Sequence, residues 1–189
     1  MNNINIYINK LKNILTYKNL ENAELLAKKL LILCKKKKKL FICGNGGSAA
    51  NANHIANDLL CGVKTKYFSG INVESLSSNT SIITCLANDI NYEDIFSEQL
   101  LAKGTKNDLL LVLSGSGNSR NILKALITAH SLKMNTFAIL GYDGGKAKKI
   151  VKNFIHLPIN DMQISEDSQL IISHICMQWL KKELSKKNQ

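Results

Sequence analysis

The sequence predicts an α/β fold, a parallel β-sheet with helices on its faces. Three observations carry that expectation. Apolar runs of strand length alternate with stretches of helical periodicity, the pattern of α/β units. One run, Leu109-Leu110-Leu111-Val112-Leu113, is apolar throughout, as a strand covered on both faces must be. Three loops rich in glycine and serine follow strands, where open α/β sheets bind their ligands.

Taken in order, residues 1–18 alternate apolar and polar positions at helical spacing. They lack the apolar block and small-residue cleavage site of a signal peptide, so they read as an amphipathic helix packed on the body or on another subunit. Residues 21–34 form a helix, with Leu25, Leu26, Leu30, Leu31 and Leu33 on a wide apolar face. Strands are expected at 40–43, 72–76, 108–113, 136–140 and 154–157. Helices are expected between and after them, at 48–61, 81–87 with 92–102, 119–132, 146–152 and 165–183. The sole proline, Pro158, follows the last strand, and a polar tail from Ser185 to Gln189 reads as frayed. No linker or repeat divides the 189 residues, so positions 1–189 are read as one domain, long enough to bury a core.

Composition excludes several classes. No apolar run approaches the ~18–20 residues of a membrane span. The five cysteines are odd in number, form no C-x-x-C pair and sit partly in apolar runs. They argue for a reducing, cytoplasmic setting and against a thiol metal site. The net charge of +11 invites a nucleic-acid reading, but Arg120 is the single arginine. Arginine is the favoured residue for guanine and for bidentate phosphate contacts, so nucleic acid is disfavoured as a partner. The lysines at 35–39 follow a helical stretch, where they complement its dipole at the solvated end.

The chemistry concentrates in two loops and two helices. Cys43-Gly44-Asn45-Gly46-Gly47-Ser48 runs from a strand into a helix. Glycines allow close approach of backbone to ligand, and unpaired amides at the helix start attract an anion. Ser114-Gly115-Ser116-Gly117-Asn118-Ser119 has the same placement and adds three hydroxyls, a second anion cradle. Neither loop has the P-loop pattern, and the first does not match G-x-G-x-x-G, which disfavours a dinucleotide. A third loop, Gly141-Tyr142-Asp143-Gly144-Gly145, follows the fourth strand. His54 and Asp58 lie four apart, on one face of a helix, able to hold a metal, to act as an acid–base pair, or simply to sit solvated. Glu166 and His174 lie eight apart on the last helix, about two turns. His174 stands among Leu170, Ile171, Ile172 and Ile175, so burial is expected, and a core histidine is the plainer alternative. Two such pairs together would make a mixed nitrogen and oxygen site suited to zinc.

These motifs, with Asn88-Asp89 and Asp143-Gly144-Gly145-Lys146, resemble the sugar isomerase (SIS) domain family and, more narrowly, the bacterial phosphoheptose isomerases. The resemblance runs in order from about residue 21 to residue 183. It implies a three-layer Rossmann-like fold with a five-stranded parallel sheet, and a homotetramer with active sites between subunits. It implies substrate contacts from Asn45, Gly46, Gly47, Asn88, Asp89, Gly115 and Glu166, with Ser114, Ser116 and Ser119 on the phosphate. His54, Asp58, Glu166 and His174 match the ligands of a zinc or similar divalent ion, and Asp58 and His174 the groups that move protons. Two matches are inexact. Asp58 stands where the family has a longer glutamate, and Glu166 where it has a neutral glutamine. Gly115 replaces a hydroxyl residue.

The implied reaction is an aldose–ketose isomerisation of sedoheptulose 7-phosphate to D-glycero-manno-heptose 7-phosphate through a metal-assisted enediol, for the heptose of a surface polysaccharide. The alternative is a metal-free phosphosugar-binding or regulatory module, since relatives that lost the metal site, one of them associated with replication initiation, act in that way.

Overall fold

The computed structural model describes residues 2–66 and 68–186. Two helices, α1 (Asn2–Ile14) and α2 (Tyr17–Lys35), precede β1 (Leu40–Cys43). Then follow α3 (Gly47–Asn57), a π-helical turn (Asp58–Gly62), β2 (Val73–Ser75), α4 (Thr80–Asp89), a 3-10 turn (Tyr92–Asp94) and α5 (Ser97–Lys103). The second half alternates β3 (Leu109–Ser114), α6 (Arg120–Ser131), β4 (Asn135–Leu140), α7 (Gly145–Ile150), β5 (Phe154–His156) and α8 (Met162–Ser185). The five strands are all parallel, in the order β2-β1-β3-β4-β5.

That order fixes where a ligand can bind. From β1 the chain moves outward to β2, then returns to β3 on the other side and continues outward through β4 and β5. The direction reverses between β1 and β3, and a parallel sheet opens a crevice beyond the carboxyl ends of such a pair. The loops leaving β1 and β3 are the glycine turn and the serine loop.

Alternation along the strands sorts the core into two faces. Leu40, Ile42, Leu109, Leu111, Leu113, Phe137 and Ile139 pack with helices α2, α3 and α8. Phe41, Cys43, Leu110, Val112, Ala138 and Leu140 pack against α5, α6 and α7. This is the expected three-layer arrangement, with β3 central and buried along its whole length.

Several boundaries differ from the sequence reading. The expected helix at 1–18 is two helices. Thr16 is extended and its hydroxyl accepts the Asn19 amide at 3.3 Å, so α2 starts at Tyr17. Met1 lies outside the described residues. α1 packs on α8 through Tyr7, whose hydroxyl donates to Asp167 at 2.6 Å, and through the Lys10–Asp161 ion pair at 2.6 Å. Ile4, Ile6 and Ile8 of α1 are exposed. Asp161 caps α8 by accepting the Ile164 amide at 3.2 Å, which starts that helix three residues before the expected 165. α8 runs to Ser185, whose hydroxyl donates to the Lys181 carbonyl at 2.8 Å, and residues 187–189 of the tail expected to fray lie outside the described residues.

Burial dictates cysteine chemistry. Burial pushes the Cys176 thiol up to about 12 and Cys43 well above its ordinary value, whereas Cys61 and Cys85 are exposed. Native-state alkylation followed by peptide mass spectrometry is expected to label Cys61 and Cys85 and to reach Cys43 and Cys176 only after unfolding.

Candidate functional site

Two helices and two loops build the site. α3 begins in the glycine turn, with Gly46 at φ 56° as its cap. The bare backbone at position 47 lets the end of a side chain from α8 settle on the turn. A Cβ there would lie 2.3 Å from Glu166 Oε2, so the Glu166 carboxylate from α8 covers the turn directly. Across the β1–β3 crevice, the serine loop folds on itself. Ser114 accepts the Gly117 amide at 3.0 Å and Ser116 the Asn118 amide at 3.3 Å. Between the two loops lies a cleft of about 230 Å³, lined by Asn45, Gly46, Ser48 and Glu166 on one side and by Ser114, Gly115, Ser116 and Ser119 on the other.

Met162 closes one wall of the cleft. A Cβ on Gly115 would lie 2.6 Å from its sulfur, so the methionine fills the volume that a side chain at 115 would take. The third loop, 141–145, does not line the cleft. It buttresses the serine loop instead, with Gly141 N–H donating to the Ser114 carbonyl at 3.2 Å and Lys146 N–H to Asn118 Oδ1 at 3.0 Å.

The two helices meet beside this cradle. His54 Nε2 lies 3.2 Å from His174 Nε2 and 3.3 Å from Asp58 Oδ2, and His174 Nε2 lies 3.1 Å from the same oxygen. Among the described residues this is the one cluster of histidine, cysteine and carboxylate groups arranged to hold a metal. The donor set fits one. Two imidazole nitrogens and a carboxylate oxygen crowd their lone pairs together, which a shared proton or a cation must offset. Tetrahedral zinc with bonds near ~2.0–2.1 Å would require donor separations of about 3.3 Å. The cluster is half open to solvent, with the side chains of His54 and His174 49% and 42% exposed. His174 is therefore not the buried core histidine that its apolar neighbours suggested. Its helix face turns toward α3, while Ile172 and Cys176 fill the core. Along α3, His54 stands seven residues from Gly47, about 10 Å.

Glu166 stands apart from the three-residue cluster, over Gly47 in the cleft. Asn88 and Asp89 end α4, exposed and hydrogen-bonded to one another at 2.8 Å, and neither lines the cleft.

Sequence reading missed a buried polar network that joins the two helices. Gln169 Nε2 donates to Ser48 Oγ at 3.0 Å, and Asn51 Nδ2 donates to Gln169 Oε1 and to the Glu166 carbonyl, both at 2.9 Å. Gln169 is 1% exposed. A side-chain amide on the apolar face of a helix was its only signal, since such a group must find partners. Also missed was Tyr92, whose hydroxyl donates to Asn45 Oδ1 at 3.1 Å.

The sequence model of the SIS domain family matches residues 6–141. A phosphoheptose isomerase of Helicobacter pylori (strain HPAG1) is 39% identical over 150 residues, covering 79% of this chain and 78% of that one. The solved phosphoheptose isomerase of Francisella tularensis superposes with a TM-score of 0.86 at 25% identity, covering 96% of this chain and 97% of that one. Phosphoheptose isomerase GmhA of Neisseria gonorrhoeae gives 0.78 at 28% identity, covering 93% and 91%.

Proposed function

We infer the reaction from a membership: the chain belongs to the SIS domain family and, within it, to the phosphoheptose isomerases. It is an aldose–ketose isomerase that converts sedoheptulose 7-phosphate to D-glycero-manno-heptose 7-phosphate for heptose synthesis, destined in this reading for a surface polysaccharide. The observation that carries the mechanism is the meeting of His54, Asp58 and His174 beside the phosphate cradle.

The phosphate is held by the hydroxyls of Ser116 and Ser119 and the amides of the serine loop, with Ser114 shaping its turn. Remote phosphate binding fixes the reacting carbons near the proton carriers. Asn45, Gly46 and Gly47 hold the sugar from the other side. Asp58 removes the proton from the carbon beside the carbonyl, and His174 moves protons between the sugar oxygens, giving a cis-enediol. A divalent ion such as zinc, held by His54, Asp58 and His174, would stabilise negative charge on oxygen when bound.

Asp58 is a methylene shorter than the family's glutamate, yet its carboxylate lies within 3.3 Å of both histidine nitrogens. We assign Glu166 to the substrate rather than to the metal, because its carboxylate covers Gly47. Glu166→Gln is then expected to leave metal content unchanged. It should tighten inorganic phosphate about fivefold, since removing one like charge near an anion relieves about 1 kcal/mol. Titration calorimetry with metal analysis on the same sample checks both.

The homotetramer is supported by Ile4, Ile6 and Ile8 of α1, apolar side chains left exposed among the described residues. In that assembly the exposed Asn88 and Asp89 are free to serve a site shared between subunits. A cytoplasmic setting agrees with five free thiols. Among the described residues no helix is long and apolar enough to cross a membrane.

The decisive experiment follows sedoheptulose 7-phosphate in deuterated water with metal measured in the same sample. Deuterium entering at the carbon beside the carbonyl is expected. Tight phosphosugar binding with neither exchange nor bound metal would reduce the chain to a binding module.

A further inference from the structure

Asn121, the second residue of α6, is 2% exposed and plays no part in the mechanism above. Its side chain forms a reciprocal amide pair with Asn45 of the glycine turn. Asn45 Nδ2 donates to Asn121 Oδ1 at 2.9 Å, and Asn121 Nδ2 donates to Asn45 Oδ1 at 2.8 Å. Asn121 Oδ1 also accepts the Ile122 amide at 2.9 Å, which orients its plane. Two amides satisfy each other in this way because each brings one donor and one acceptor, an exchange that neither a carboxylate nor a hydrocarbon can replace.

The pair spans the crevice. Asn45 belongs to the loop after β1, and Asn121 follows directly on the serine loop after β3. Tyr92 adds a third bond to Asn45, and its turn is itself fastened to α6 by the Arg120–Glu93 pair at 2.7 Å and by the Lys124–Asp94 pair. Every partner that holds the Asn45 side chain is thus anchored on α6, the helix that the serine loop leads into.

We propose that Asn121 is a positioning residue that locks the glycine turn to the serine loop and so fixes the separation of the two halves of the phosphosugar cleft. The inference rests on the phosphosugar reading of that cleft. The two loops come from different strands and share no backbone hydrogen bond across the cleft among the described residues. The amide pair supplies that link, and a substrate that touches both halves meets them already spaced.

The test is a double-mutant cycle in the full chain, reading the Kd of inorganic phosphate and of sedoheptulose 7-phosphate by calorimetry. Asn121→Ala is expected to weaken binding of the sugar phosphate about tenfold, Asn45→Ala at least as much because it also loses its own contact to the sugar, and the double variant no more than Asn45→Ala alone, because the clamp needs both residues. In turnover, Asn121→Ala is expected to raise KM while kcat falls less than about threefold. Should Asn121→Ala fold poorly, Asn121→Leu keeps a branched side chain of similar shape and removes the amide pair together with the bond from the Ile122 amide. Single effects that multiply to about a hundredfold would overturn the proposal, as would an Asn121 variant that binds like the parent while melting lower. A parent protein that holds neither phosphate nor the sugar phosphate would overturn the phosphosugar reading itself, and the clamp with it.

Discussion

Replacing His174 by alanine is expected to lower isomerase turnover by about a thousandfold, within the range for loss of a positioned acid–base group. The side chain is 42% exposed, so its removal leaves no core cavity and the melting temperature should stay close to that of the parent. What is lost is the group that faces both His54 and Asp58, at 3.2 and 3.1 Å. Removing one of three converging donors should also abolish metal binding at the proposed site, so metal content and turnover are expected to fall together. A coupled assay of kcat beside metal analysis and a thermal melt measures all three. Residual turnover within tenfold of the parent, in a folded variant, would remove His174 from the chemistry.

Gly117→Ala is expected to be the most damaging single methyl in the serine loop. Gly117 sits at φ 65°, where side chains are strained, and a Cβ would lie 2.1 Å from the Gly144 carbonyl oxygen. The obstacle is backbone, which cannot rotate away. The Gly117 carbonyl also accepts the Ala147 amide at 2.9 Å, so the serine loop has no slack to retreat without breaking that bond. The strain and displacement together should cost about 3 kcal/mol of stability. The displaced loop carries Ser116 and Ser119, so phosphate affinity should collapse as well. Chemical denaturation and phosphate titration on the same preparation report the two effects. A variant as stable as the parent would mean that the serine loop and the 141–145 turn part freely.

The two results would separate the halves of the site. His174 stands on a helix, at the end of the site proposed for proton transfer, where exposure makes substitution cheap for the fold. Gly117 stands at the end proposed for the phosphate, on a loop wedged against another loop, where the fold itself is at stake.

Much of this arrangement is written in local sequence, for local reasons. A run such as 109–113 has one stable fate, a strand covered on both faces. A glycine turn between a strand and a helix makes an anion site wherever it occurs, and the serine loop repeats the logic. The four-residue spacing of His54 and Asp58 places them together on any helix. Boundaries were harder, because a cap depends on a few local bonds. Thr16 divides two helices within a pattern that reads as one, and Asp161 starts α8 early.

Separations across elements were out of reach. Glu166 and His174 lie on one helix and read as equivalent ligands, yet the crossing of α8 over α3 sends His174 to the cluster and Glu166 over Gly47. The same crossing turns His174 outward despite its apolar neighbours, because the buried Gln169, Asn51 and Ser48 network sets the facing sides of the two helices. Asn45 and Asn121 are 76 positions apart and meet only because the sheet places β1 beside β3. The amino-acid order alone determined the elements, their alternation and the loops able to hold an anion, since periodicity and backbone freedom act over a few residues. Tertiary structure alone decided which side chains share a site, since that depends on helix crossings and strand order that no short stretch of chain contains.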